Sequence, residues 1–214
     1  MIQLFFDSGK NRWLLFQRPL KLLQANEREE VEPLLKEVVR TQQEGRYVAG
    51  FLSYELFSGF ECSSSDDAFP LALFGVYDEV KEQDHPRFRP LSGPCETGNL
   101  VCTTDKKDYL RNFQTIQEKI VEGELEQINY TIRLKSRFNG DPLEWFCSRV
   151  EGAQATERPG DYLAYLEWER WSVASLSPEL FFSLSSDGTI LSRPMKGTSP
   201  RLLSADPAEQ TKLD

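Results

Sequence analysis

The last third of the chain limits its fold most tightly. Tyr162 to Glu167, Trp171 to Ser175, Leu180 to Leu184 and Thr189 to Arg193 are four short runs of aromatic, branched and leucine side chains. Each is too short for a stable helix and is bounded by turn residues. Ser185-Ser186-Asp187-Gly188, between the last two, is a hairpin signal, because Asp and Gly accept the backbone angles of a tight turn. Four such runs in succession predict an antiparallel sheet.

The chain ahead of them mixes both periods. A helix is expected from Asn26 to Glu44, with Val31, Leu34, Leu35, Val38 and Val39 on one face, Asn26 as its cap and Glu29 at the capping-box position. Pro33 sits more easily if the helix begins nearer Glu32. Tyr47 to Tyr54 reads as a strand buried on both faces, and Leu71 to Tyr77 as another. The polar, proline-containing stretch from Asp78 to Asn99 reads as a loop or lobe boundary. A second helix is expected from Lys106 to Glu122, striped by Tyr109, Phe113, Ile116 and Ile120 and ended by Gly123. Gln127 to Lys135 alternates strictly, as a strand does. Asp141-Pro142-Leu143-Glu144 opens a third helix, which ends near Ala153. The class is α+β: antiparallel β-sheets flanked by helices, divided into residues 1–100 and 101–214.

Composition excludes several functions. With 39% hydrophobic and 12% aromatic residues, the 214-residue chain has enough apolar surface for a core and is not disordered. A net charge of −9 argues against a nucleic-acid partner, which needs clustered Lys and Arg. No apolar run is long enough to span a membrane, and the N-terminus has no signal-peptide pattern. Cys62, Cys95, Cys102 and Cys147 form no CxxC pair, and His85 stands alone in a polar stretch. Zinc and a histidine-based triad are therefore unsupported, and the expected setting is cytoplasmic with free thiols.

Two short motifs near the C-terminal end carry chemistry. In Arg193-Pro194-Met195-Lys196-Gly197-Thr198, Lys196 follows a strand and precedes a glycine. The Gly197 and Thr198 N–H groups suit an anion, and a glycine lets backbone approach a ligand closely. Lys196 is a nucleophile only when deprotonated, and the nearby Arg193 cation would favour that form. The ordinary setting for such a lysine is an exposed turn. In Ser177-Pro178-Glu179-Leu180-Phe181, a carboxyl beside apolar side chains suits a general acid, although a solvent-facing glutamate fits the pattern equally well. Gln127 and Asn129 belong to the alternating segment, whose polar face suits a pocket wall or plain solvent. The hairpin from Leu180 is expected to bring Glu179 and Lys196 to one sheet edge.

These residues, with Tyr47-Val48-Ala49-Gly50-Phe51-Leu52-Ser53-Tyr54-Glu55 and Gln127-Ile128-Asn129, resemble the chorismate-utilising enzymes. The resemblance is closest to their aminodeoxychorismate synthase component I (para-aminobenzoate synthase) branch. It implies that Lys196 attacks C2 of the chorismate ring while Glu179 protonates the departing C4 hydroxyl. Ammonia from a glutaminase partner then enters at C4 and expels the lysine. Gly197 and Thr198 would contact substrate, with Arg193, Gln127 and Asn129 around it. The related anthranilate synthases usually carry alanine at the position of Lys196, so that reading is the alternative, along with a non-catalytic binding remnant of the family. The resemblance also implies Mg²⁺, held by glutamates of a later segment that this sequence does not contain. The 214 residues correspond to roughly the first half of such an enzyme and are expected to be inactive alone. Glu126 departs from the family pattern, which usually has an aromatic residue there.

Overall fold

A computed structural model describes residues 1–56, 69–90, 93–154 and 162–195. In chain order its elements are β1 (Ile2–Asp7), β2 (Arg12–Gln17), β3 (Lys21–Ala25), α1 (Arg28–Gln43), β4 (Tyr47–Leu52), β5 (Ala72–Tyr77), β6 (Lys81–Gln83), β7 (Glu96–Thr97), β8 (Val101–Cys102) and α2 (Lys106–Val121). They continue with β9 (Leu134–Lys135), β10 (Phe138–Asn139), α3 (Pro142–Gln154), β11 (Tyr162–Trp168), β12 (Trp171–Ser177), β13 (Leu180–Leu184) and β14 (Ile190–Arg193). All strand pairs are antiparallel. The contacts divide the chain into two compact units: residues 1–86 with those from 152 onward, and residues 87–151.

The first unit is built on two sheets, ordered β12-β11-β1-β2-β6 and β3-β5-β4. β1 pairs with β11 from Ile2↔Glu167 to Phe5↔Ala164, so the start of the chain lies beside residues more than 150 positions away. A single cut at residue 100 assigns those two neighbours to different lobes. In the smaller sheet β5 is central and buried almost throughout. One face of it carries Ala72, Phe74 and Val76, which join Leu23, Ala25, Val31 and Leu34 in a core that seats α1. The other face presents Tyr77, which packs with Ala49 and Phe16 and with Phe5 and Leu14 of the larger sheet. This period of two lets one strand bury both faces. β4 does not: it is an edge strand with Tyr47 and Leu52 exposed, so its apolar run overstated its burial.

One buried polar group ties the two sheets. The Gln3 Nε2 donates to the Ala49 carbonyl at 2.7 Å and to the Tyr77 hydroxyl at 2.9 Å. Burial pushes the Tyr77 hydroxyl above its ordinary pKa, opposed by the bond from Gln3. The Tyr77 ring fills the space a side chain at Gly75 would need.

α1 begins one residue later than expected. Glu27 rather than Asn26 is its N-cap, and the Glu30 carboxylate, not Glu29, accepts from the Asn26 and Glu27 N–H groups at 2.8 and 3.1 Å. Pro33 is accommodated within the helix.

In the second unit, Asp105 caps α2 through the Asp108 N–H at 2.8 Å, and Asp141 caps α3 through the Leu143 N–H at 2.9 Å. Asp141 also takes a bidentate pair from Arg89 at 2.6 and 2.9 Å, which compensates its burial. Arg87 grips Glu151 further along the same helix. The expected strand from Gln127 to Lys135 forms a ladder only at Leu134 and Lys135, against β8. The rest is irregular, and Ile128 and Ile132 are about half exposed. Alternation supplies an apolar face, but a strand also needs a neighbour for its N–H and C=O groups.

Candidate active site

The corner where β12 hands over to β13 holds the Ser-Pro-Glu motif. Ser177 closes the β11–β12 ladder opposite Tyr162. Pro178 then fixes φ and offers no N–H to continue the strand, so the chain turns. The Ser177 hydroxyl accepts the Glu179 N–H at 3.2 Å and donates to the Glu179 carbonyl at 3.0 Å. Glu179 itself is half-buried. β13 begins at the next residue.

The hairpin closes as its turn residues predict. The Ser185 N–H donates to the Thr189 carbonyl at 2.9 Å, and Gly188 adopts a φ of +85°, which favours glycine. Within the hairpin Leu180 lies opposite Arg193, with a register shift before Ser183↔Leu191. Glu179 therefore stands at the end of the hairpin where β14 finishes. Arg193 and Met195 there are exposed. Lys196, Gly197 and Thr198 follow directly in sequence and lie outside the described residues, as do the Cys62 region and the C-terminal stretch.

Gln127 and Asn129 are exposed and belong to the second unit, whereas Glu179 and Arg193 belong to the first. Their segment is tied to α2 by contacts the sequence reading missed. The Asn112 Nδ2 donates to the Tyr130 hydroxyl at 2.8 Å, and the Tyr130 ring stacks on Tyr109 at 5.3 Å between centroids. The legible signal was the placement of Asn112 and Tyr109 one turn apart on one helix.

Other reactive groups are poorly placed for chemistry. Burial pushes the Cys147 thiol up to about 11, which keeps it protonated and inert at neutral pH. His85 is exposed in its loop. A cleft of about 260 Å³ lined by Leu15, Gln17, Arg18, Leu20, Asp78, Glu79 and Lys81 contains none of the motif residues. Its two cations are matched by two carboxylates, so it has no net charge to favour a dianionic ligand. Among the described residues no group of three or more His, Cys, Asp and Glu is arranged to hold a metal ion. No helix among them is long and apolar enough to cross a membrane.

Comparison with known proteins places these features. A family model described as chorismate binding enzyme matches residues 2–214. The chain is similar to aminodeoxychorismate synthase component 1 of Escherichia coli (strain K12), 28% identical over 76% of this chain and 40% of that protein. It also resembles the aminodeoxychorismate synthase of Streptomyces griseus, 30% identical over 68% of this chain and 19% of that one. Anthranilate synthase component 1 of Acinetobacter calcoaceticus is 28% identical over 58% of this chain and 22% of its own length. The chain thus belongs to the chorismate-binding enzyme family. It spans well under half the length of these curated relatives.

Proposed function

We propose that this chain carries part of the active site of an aminodeoxychorismate synthase, component I. The enzyme would convert chorismate and ammonia to 4-amino-4-deoxychorismate and water, a step toward para-aminobenzoate and folate. The observation that carries the reading is the hairpin register. Leu180 opposite Arg193 puts Glu179 at the end of the hairpin where β14 finishes, and in sequence Lys196 follows Arg193 by three residues. A carboxyl and an amine acting together would suit a displacement with acid assistance.

In this proposal the neutral Lys196 amine forms a bond to C2 of the ring. Both ring double bonds shift, the C4–O bond breaks, and Glu179 gives its proton to the leaving hydroxyl as water. Ammonia from a glutaminase subunit then bonds to C4, both double bonds shift back, and the C2–lysine bond breaks as the amine regains a proton. Arg193 disfavours the charged form of Lys196. Gly197 and Thr198 hold a substrate carboxylate. Mg²⁺ would neutralise a carboxylate, its ligands coming from residues outside this chain, so the isolated 214 residues are proposed to be inactive. The proposed setting is cytoplasmic. The anthranilate synthase reading ranks second, because a lysine nucleophile at 196 has no task when ammonia attacks C2 directly.

The test is peptide mass spectrometry on the protein at its native length, incubated with chorismate and Mg²⁺ but no ammonia. The Lys196 peptide should gain the mass of chorismate less water, and Lys196→Ala should abolish the adduct. With ammonia added, Glu179→Gln should lower turnover by about 10²- to 10⁴-fold. Anthranilate as the product of the unmodified protein would overturn the reading in favour of its rival.

A further inference from the structure

We infer that Ser177 is a positioning residue, whose hydroxyl clasps the backbone of Glu179 and thereby aims its carboxyl. This rests on the reading of Glu179 as the proton donor. A hydroxyl combines one donor with acceptor capacity, so a single side chain can engage both the N–H and the C=O of one residue. Ser177 does that: it accepts the Glu179 N–H at 3.2 Å and donates to the Glu179 carbonyl at 3.0 Å. The two bonds restrict rotation on both sides of the Glu179 Cα and so fix the direction of its Cβ.

The clasp matters because regular pairing does not hold this residue. The β11–β12 ladder ends at Ser177, and the β13–β14 ladder begins at Leu180. The register then slips by one residue between Leu180 and Ser183. Continued without the slip, the pairing Ser183↔Leu191 and Leu184↔Ile190 would set Leu180 opposite residue 194 instead of Arg193. A one-residue slip in a strand exchanges its faces, and bulges of this kind re-aim side chains. Glu179 therefore sits between a bulge and a clasp. Pro178 adds a fixed φ immediately before it.

The decisive pair of variants is Ser177→Thr and Ser177→Val, which have nearly the same shape and differ in the hydroxyl. They are compared with Glu179→Gln in the protein at its native length, with ammonium and Mg²⁺ supplied. Steady-state rates are measured alongside thermal midpoints. Ser177→Thr is expected to keep kcat within about threefold, while Ser177→Val loses about 10- to 100-fold, the scale of a small misplacement of a reacting group. KM for chorismate should stay within about twofold in both, since a loss confined to the transition state lowers kcat alone. Equal kcat for the two variants would overturn the clasp and leave the acid assignment standing. A Ser177→Val chain that fails to fold beside a folded Ser177→Thr would make the hydroxyl a stability element and also overturn it. Full activity in Glu179→Gln, or no turnover in the unmodified protein, removes the acid reading itself, and the clasp falls with it.

Discussion

α1 and α2 are both sixteen residues long, both amphipathic and both capped by a carboxylate side chain, yet they end in opposite circumstances. α1 lies on the three-stranded sheet and buries Val31 and Leu34 against β3 and β5. α2 buries none of its residues: Tyr109, Phe113 and Ile120 stay about 40% exposed, and Val121 is 88% exposed. The same kind of stripe yields a seated helix in one unit and a bare one in the other. An apolar face shows that a helix expects cover, but the cover comes from chain elsewhere. The hairpin β13–β14 is bare in the same way, with Phe181 84% exposed.

The difference should be large in stability. Leu34→Ala should destabilise the first unit by about 2 to 5 kcal/mol, as removing a buried leucine does. Phe113→Ala, on the bare face, should change stability by only about 0.5 kcal/mol. Urea unfolding of the 214-residue chain measures both. A large loss from Phe113→Ala would show that the α2 face is covered in solution and would erase the contrast.

A smaller effect tests what does hold α2 to its neighbour. Asn112→Ala removes the partner of the Tyr130 hydroxyl and should cost about 1 kcal/mol. Hydrogen exchange should then speed up at Gln127 to Tyr130 while the α1 amides stay as they were. Unchanged exchange at Tyr130 would mean that ring stacking on Tyr109 alone anchors the segment.

The smallest effect concerns the start of α1. Two backbone N–H groups, those of Asn26 and Glu27, hold the Glu30 carboxyl below its ordinary pKa of 4.5. A carboxylate whose folded pKa is depressed stabilises the fold above its unfolded value and loses that contribution as pH falls through the folded one. The stability gap between the parent chain and Glu30→Gln should therefore be full near neutrality and close below about pH 4.5. A gap that does not vary with pH would show that the helix start gains nothing from the charge.

Much of this was legible beforehand because it is local. Asp141 caps its helix as expected, since a cap needs only an N–H two or three residues away. The Ser185–Gly188 turn closes for the same kind of reason. Misplacements by one position, such as Glu27 for Asn26, arose where several polar residues compete for one cap. The candidate site rests on the motifs Ser177-Pro178-Glu179 and Arg193 to Thr198, whereas the two hydrogen bonds between Ser177 and Glu179 were not legible, because composition does not show where a hydroxyl points. The Gln127–Lys135 alternation was read as a strand, and only Leu134 and Lys135 found a partner.

By itself the sequence determined the helices, the hairpin and the family, because each depends on residues within a few positions or on a short motif. The tertiary structure alone decided that β1 pairs with β11, that β5 rather than β4 is the buried strand, and that α1 is covered while α2 is not. Those outcomes depend on which distant segments supply hydrogen-bond partners and apolar surface. No local pattern encodes that choice.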